Sequence, residues 1–298
     1  MKKTLLIVMG AALMLGVSSC QKEGVYTPKK KIAAVYLESK TTTTLLGSNT
    51  STVTNNEKRK KEDWIWDGKL LKEVKHYNND GEIASTTTYT YDKNRVVRIE
   101  NKSSDVTLYS TFEYDGKWLK SSEFYYDGRL RNSYVYTHTD KKITSIEHTS
   151  YSYGLDHKAA AEMDAIYAEM VAPIGIMIPE GTKCESAKGQ VELTSTVELK
   201  WDGNNIAYKT TTNSGSSSTV GFTYDDKKNP YYGMFEEDFF CAPGLVSENN
   251  LMSTTESDSP KMSYTYDGKY PVTQTIKTIT TSIAGTMEIE MTYTFEYK

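Results

Sequence analysis

The sequence predicts an all-β protein: a large antiparallel meander of roughly 13–15 strands, strongly curled or barrel-like, with one short helical insertion. Three observations predict it. Tyrosine dominates the aromatics, 23 residues against 7 Phe and 4 Trp, and suits sheets whose faces are half wet. Turn-like aspartates recur at Asp67, Asp80, Asp92, Asp105, Asp115, Asp127 and Asp140, at intervals of 13, 12, 13, 10, 12 and 13 residues. The runs between them alternate with period two, most cleanly near the C-terminus, where Met287, Ile289, Met291, Tyr293, Phe295 and Tyr297 fall on one face.

The chain opens with Lys2, Lys3 and an apolar stretch from Thr4 to Gly16, the layout of a secretory signal peptide over residues 1–19 and too short to span a bilayer. Val17-Ser18-Ser19-Cys20 follows and resembles the lipobox of bacterial lipoproteins. That resemblance implies cleavage before Cys20, acylation of its sulfur and amine, and a membrane anchor of two or more acyl chains such as palmitate. Loss of the two lysines moves the formal charge from -4 to about -6. Gln21-Lys22-Glu23 resembles the short export signal of some Bacteroidetes surface lipoproteins, which implies a surface-exposed outer-membrane location, with the periplasmic face as the alternative.

Residues 20–31 read as a lipidated polar tether, and 32–298 as a single β-meander domain. Ile32–Glu38 reads as a first strand. Thr41–Asn56, rich in Thr, Ser and Asn, fits either a Thr-lined strand pair or a loop. From Glu57 onward the turns take over. Asp67-Gly68, Asp115-Gly116, Asp127-Gly128 and later Asp267-Gly268 are tight hairpin signals, in which glycine accepts a positive φ and aspartate bonds its own turn. In Thr107–Tyr114, Leu108, Phe112 and Tyr114 share one face, and Tyr109 interrupts the polarity of the other. Neighbouring turns of a meander lie at opposite ends of the sheet, so the aspartates of successive turns do not converge, as a metal or a catalytic pair requires.

Two insertions interrupt the pattern, at about 155–185 and 229–250. Asp156–Ala172 carries Ala159, Met163, Ile166, Tyr167 and Met170 on one helical stripe. The second insertion concentrates Tyr231, Tyr232, Phe235, Phe239 and Phe240, which read either as ligand contacts or as a plug filling the concave face of the sheet. Besides Cys20, only Cys184 and Cys241 remain, one near each insertion. A disulfide between them and two separate thiols are both open readings.

His76, His138, His148 and His157 show no metal-ligand spacing, and no phosphate loop or nucleophile elbow is present. The interspersed charges form no basic stripe, which argues against a nucleic-acid partner. No catalytic residue, cofactor or metal site is expected. Tyr126-Asp-Gly-Arg-Leu130 resembles the YD repeats of Rhs-type proteins, although the usual two residues between the Asp and the Gly-Arg are missing. The lipobox, the serial Tyr-Asp turns, Tyr224-Asp-Asp-Lys-Lys-Asn-Pro230 and Glu248-Asn-Asn250 together resemble an uncharacterised Bacteroidetes lipoprotein family, a domain of unknown function with a porin-like fold. That likeness implies a large antiparallel sheet or barrel and offers no activity. The expectation is a lipid-anchored envelope protein, not an enzyme, with a binding role toward a glycan or a partner protein. A purely structural assembly lipoprotein and a membrane-embedded β-barrel are the alternatives.

Overall fold

The computed structural model describes residues 23–47, 50–152, 191–235, 242–256 and 259–298. The described residues form one 16-stranded antiparallel sheet: β1 (Ile32–Leu45), β2 (Ser51–Asp67), β3 (Leu70–Tyr77), β4 (Ile83–Asp92), β5 (Arg95–Ser103), β6 (Thr107–Asp115), β7 (Trp118–Tyr126), β8 (Arg129–Thr139), β9 (Lys142–Ser152), β10 (Val191–Asp202), β11 (Asn205–Asn213), β12 (Ser216–Tyr224), β13 (Leu251–Thr254), β14 (Lys261–Asp267), β15 (Tyr270–Ser282) and β16 (Gly285–Tyr297). Strands follow chain order except that β1 pairs β16, which curls the sheet into a nearly closed barrel. Its two ends, β13 and β14, share no ladder among the described residues. The Tyr264 hydroxyl spans this seam, donating to the Leu251 carbonyl at 2.8 Å. The strand count exceeds the sequence expectation partly because Thr41–Asn56 belongs to a regular β1–β2 hairpin. The helix expected over 156–172 lies outside the described residues, and the one described helical element is the turn Pro243–Val246.

Each wall strand buries alternate residues. Leu108, Ser110 and Phe112 of β6 face inward, and Leu119, Ser122 and Phe124 of β7 meet them. Tyr109, the polarity break, lies on the outer face and stacks on Tyr125 at 4.6 Å.

The repeated aspartates are turns. Two-residue loops join Asp67 to Leu70, Asp115 to Trp118 and Asp267 to Tyr270. Tyr126–Arg129 closes over Asp127 and Gly128, both at positive φ (45° and 74°), as a tight hairpin requires. Asp67, Asp92, Asp115, Asp140, Asp202 and Asp267 follow even-to-odd connections and line one rim, here the collar end; Asp80, Asp105 and Asp127 lie at the other.

At the collar end a second repeat appears. Each hairpin carries one β-bulge, and an aromatic or histidine sits opposite it: Trp66 faces Leu71, Tyr91 faces Val96, Tyr114 faces Leu119, His138 faces Ile143 and Trp201 faces Ile206. The ring does not bond within its own hairpin. It reaches back to the preceding strand, beyond the point where the ladder between them stops. Tyr91 donates to the Leu71 carbonyl, Tyr114 to Val96, Tyr224 to Ile206 and Tyr297 to Pro271, each at 2.7 Å. The indoles of Trp66 and Trp201 do the same to Ile32 and Ile143, also at 2.7 Å. These bonds occupy carbonyls that the splayed ladders leave open.

Removing one donor should leave a half-buried carbonyl unpaired. Tyr91→Phe and Tyr114→Phe are each expected to lower stability by about 1–3 kcal/mol. Urea denaturation of each variant reads this directly, and an unchanged midpoint in both would remove the collar's structural role.

Candidate functional site

Two segments singled out in the sequence, Tyr224–Pro230 and Glu248–Asn250, meet at the collar end and form a clasp. Asp225 is its hub: it accepts from the Asn250 and Lys227 amides (3.1 and 3.0 Å), from the Asn250 side chain (3.0 Å) and from the Tyr266 hydroxyl across the seam. Asn229 donates to the carbonyls of Gly244 (2.5 Å) and Ser247 (2.9 Å). Asn205 and Asn249 exchange side-chain and backbone bonds at 2.9 and 3.1 Å. Lys228 pairs with Glu248, and this ion pair, with the Asn204 amide, holds the Glu248 carboxyl below its ordinary pKa.

Between the two halves of the clasp, Tyr231–Phe235 and Ala242–Val246 lie against the barrel interior. Tyr231 and Phe235 are each 6% exposed. Tyr231 packs 5.9 Å from Trp64 and edge-on to Phe295 at 6.0 Å, and Phe235 packs 5.3 Å from Phe112. Met234 and Leu245 join the same core, and Tyr232 is half-buried. Of the five aromatics considered as ligand contacts, Tyr231 and Phe235 therefore belong to a plug, Tyr232 is half-buried at its edge, and Phe239 and Phe240 lie outside the described residues. The gap between plug and wall, lined by Asn229, Tyr231, Gly244 and Phe295, measures about 10 Å³, room for a single water. Cys20, Cys184 and Cys241 also lie outside the described residues.

Inside the wall, a polar cluster sits beside the apolar core. Glu62 accepts from the Trp64 indole (2.8 Å) and lies 3.5 Å from His76, whose other ring nitrogen meets the Thr87 hydroxyl at 2.9 Å; Asn101 donates to that hydroxyl at 2.9 Å. Burial alone would raise the Glu62 pKa, but the His76 bond and charge and the Trp64 N–H outweigh it and hold the carboxyl below the usual range. His138 and His148, on neighbouring strands, are not brought together. His148 bonds Asn132 and Ser195 (each 3.0 Å), while His138 faces the collar end. Among the described residues, no three His, Cys, Asp or Glu side chains are placed to hold a metal ion.

Residues 23–31, read from composition as a tether, are docked instead. They cross the collar mouth as a strap. Glu23 accepts from the Leu119 amide (2.5 Å) and faces His138 at 3.0 Å, completing the one collar position that holds a histidine. The Val96 amide donates to the Gly24 carbonyl at 2.9 Å. Tyr26 is buried against Trp66 and donates to the Pro230 carbonyl at 2.7 Å, and Lys30 pairs with Asp267 at 3.1 Å. The sequence signal for this docking was the lone tyrosine in an otherwise polar stretch.

The outer wall carries charged and hydroxyl side chains on many strands, interspersed with exposed apolar residues such as Ile83, Val135 and Ile279. Arg98 pairs with Glu100 at 2.6 Å and lies 3.6 Å over the Tyr109 ring; Glu123 accepts from Tyr125 at 2.6 Å and pushes that phenol up to about 12. Lys75 pairs with Glu73 (3.7 Å) and Lys277 with Glu288 (2.7 Å). Threonine hydroxyls pair across strands, as in Thr210–Thr219 and Thr275–Thr292. No helix among the described residues is long and apolar enough to cross a membrane.

A family model described as "Uncharacterised protein" matches residues 26–157, just under half of the chain. The chain is also similar to a porin-like protein from Bacteroides uniformis ATCC 8492, at 8% identity and a TM-score of 0.32, over 88% of this chain and 97% of that one. A porin-like protein from Bacteroides vulgatus ATCC 8482 is similar at 9% identity and a TM-score of 0.29, over 90% and 99%. No curated protein matches the chain.

Two outcomes are expected from this geometry. A carboxyl held down in the folded state stabilises the fold above its unfolded pKa, and the contribution drains away as pH falls through the folded value. Stability should therefore fall below about pH 4.5, the ordinary value for Glu62, and Glu62→Gln should flatten that acid limb in urea titrations from neutral pH downward. Gly24 has φ 75°, and a Cβ there would collide with the Tyr114 hydroxyl. Gly24→Ala should free the strap, read as faster tryptic cleavage at Lys29–Lys31 with the barrel core intact.

Proposed function

We propose that this is a lipid-anchored envelope protein with a non-catalytic binding role, standing on the outer membrane with its collar end toward the lipid. The observation that carries the reading is the strap. Glu23, only three residues after the lipobox cysteine Cys20, is fixed in the collar mouth, and three residues reach at most about 11 Å. An acyl anchor on Cys20 would hold the barrel against the membrane instead of letting it stand off on a flexible leader. The collar turns alternate exposed lysines (Lys69, Lys93, Lys117, Lys141 and Lys269) with exposed aspartates (Asp67, Asp92, Asp115, Asp140 and Asp267), so the orientation rests on the strap and not on rim charge.

A barrel embedded in the bilayer is the second reading, and the outer wall opposes it. Arg98, Glu100, Glu73, Lys75, Lys277 and Glu288 point outward, where each Arg or Lys at the bilayer midplane would cost about 2–4 kcal/mol and each Glu somewhat less. The described interior is filled by a plug and a largely satisfied polar cluster, which favours a scaffold that binds by its surface over an enzyme. A glycan or a surface protein is the kind of partner that such a surface would meet.

In cells, Cys20→Ala should move the protein from the membrane fraction to the soluble fraction, while the wild-type protein on intact cells should be digested by added protease. Retention of Cys20→Ala in the membrane would sink the anchor; protection of the wild type until lysis would move the protein to the periplasmic face.

A further inference from the structure

The four longest strands, β1, β2, β15 and β16, have 13–17 residues and project beyond the rim opposite the collar as a flap. On this flap the outer edge of β2 carries no strand ladder from Ser51 to Lys60 among the described residues, because the ladder to β3 begins only at the Glu62–His76 pair. The side chains from Ser51 to Lys58 are exposed. A row of free N–H and C=O groups is a template for another strand, and soluble proteins guard such edges with lysine, proline or a bulge. Ser51–Asn56 has no lysine and no proline, and it pairs with β1 in unbroken register. The surroundings are equally unguarded: Thr41–Thr54 and Thr278–Met287 contain no charged residue. Leu45, Leu46, Val53 and Ile283 are 61%, 77%, 49% and 95% exposed.

Lipid is a poor occupant, since an open strand edge in hydrocarbon leaves its backbone groups unsatisfied. We propose that the β2 edge pairs with the β2 edge of a second copy of this chain. The pairing is antiparallel about a two-fold axis at Val53, with Val53 of each copy opposite Val53 of the other, Thr52 opposite Thr54, and Ser51 opposite Asn55. Charge selects this register. The uncharged Ser51–Asn55 segments face each other, while Glu57, Lys58, Arg59 and Lys60 of the two copies stay apart; sliding the strands to overlap those residues sets cation against cation. A two-fold contact of this kind closes as a dimer. The other free edge of the flap, Thr278–Ser282 of β15, is half as long and is not used. Because the strands run antiparallel, the collar ends lie at opposite poles of the pair. Copies anchored through Cys20 would thus meet across the gap between two facing membranes, although the pairing itself needs no anchor.

The test is sedimentation velocity on the chain from residue 20 onward, with Cys20→Ser so that no acyl group contributes, from about 1 to about 100 µM. Wild-type edges should give monomer and dimer in a concentration-dependent ratio. Val53→Glu/Thr54→Glu and Val53→Lys/Thr54→Lys place like charges around the axis, and each should weaken its own dimer at least tenfold. Mixed one to one, the two variants should dimerise again. Both should keep the wild-type circular dichroism, since both positions are exposed. A wild type that stays monomeric or forms species larger than dimers, variants that still self-associate, or a mixture that fails to recombine would each overturn the proposal.

Discussion

One constraint organises this barrel: adjacent hairpins splay apart at the collar end, and their last carbonyls need donors. A bulge in every described collar hairpin bends the strand that follows the turn, and that strand's ladder with the next strand stops two or three residues short of the rim. Tyrosine and tryptophan answer this with one side chain. The ring packs into the core below the rim, and the hydroxyl or indole N–H reaches the stranded carbonyl. Phenylalanine supplies only the ring, which accounts for the preference for tyrosine at these positions. Where the series places His138, the chain's own strap brings Glu23 to complete the contact, so the collar and the strap are one structure.

The plug follows from the size of the barrel. Sixteen strands enclose more space than wall side chains can fill, and unfilled apolar space forfeits packing. Described residues between the two halves of the clasp fill it at the collar end, with Tyr231, Met234 and Leu245 in one half of the core and Phe235 in the other. The clasp then covers the seam between β13 and β14, using Asp225 as an acceptor for both sides. The same residues thus close the sheet and anchor its filling.

Much of this was legible in the sequence, and the reasons for the rest are physical. Strands, turns and the alternation of turn ends follow from local chemistry: Asp-Gly loops, positive φ and period-two burial act within a few residues. The aromatics before each aspartate were read as strand ends, but their acceptors lie 18–34 residues back in most cases, on a different hairpin, and no local pattern marks them. Thr41–Asn56 was undecided because threonine serves strands and loops alike; the pairing with β1 decides it. The strap was read as a tether because composition averages over Tyr26, whose burial against Trp66 fixes the whole segment. Aromatics at Tyr231 and Phe235 suit a ligand surface and a plug equally well by composition. Only the width of the barrel, which appears once all sixteen strands are counted, separates the two.

The range of the collar bonds also bears on how the molecule assembles. Most contacts join a strand to the one made just before it, so the sheet can grow hairpin by hairpin with short loops to close at each step. Each ring that finds the preceding hairpin fixes the register of that hairpin before the next begins. The β1–β16 ladder is different, since it joins Ile32 to Tyr297 across nearly the whole chain. Until β16 exists, β1 is an open edge, and the strap ahead of it has no finished mouth to cross. Closure and the docking of Tyr26 on the Pro230 carbonyl are therefore late events, and they depend on the last strand of the chain. A chain captured before its last strand pairs would be a curved ribbon with two reactive edges, and it becomes a barrel only when β16 reaches β1.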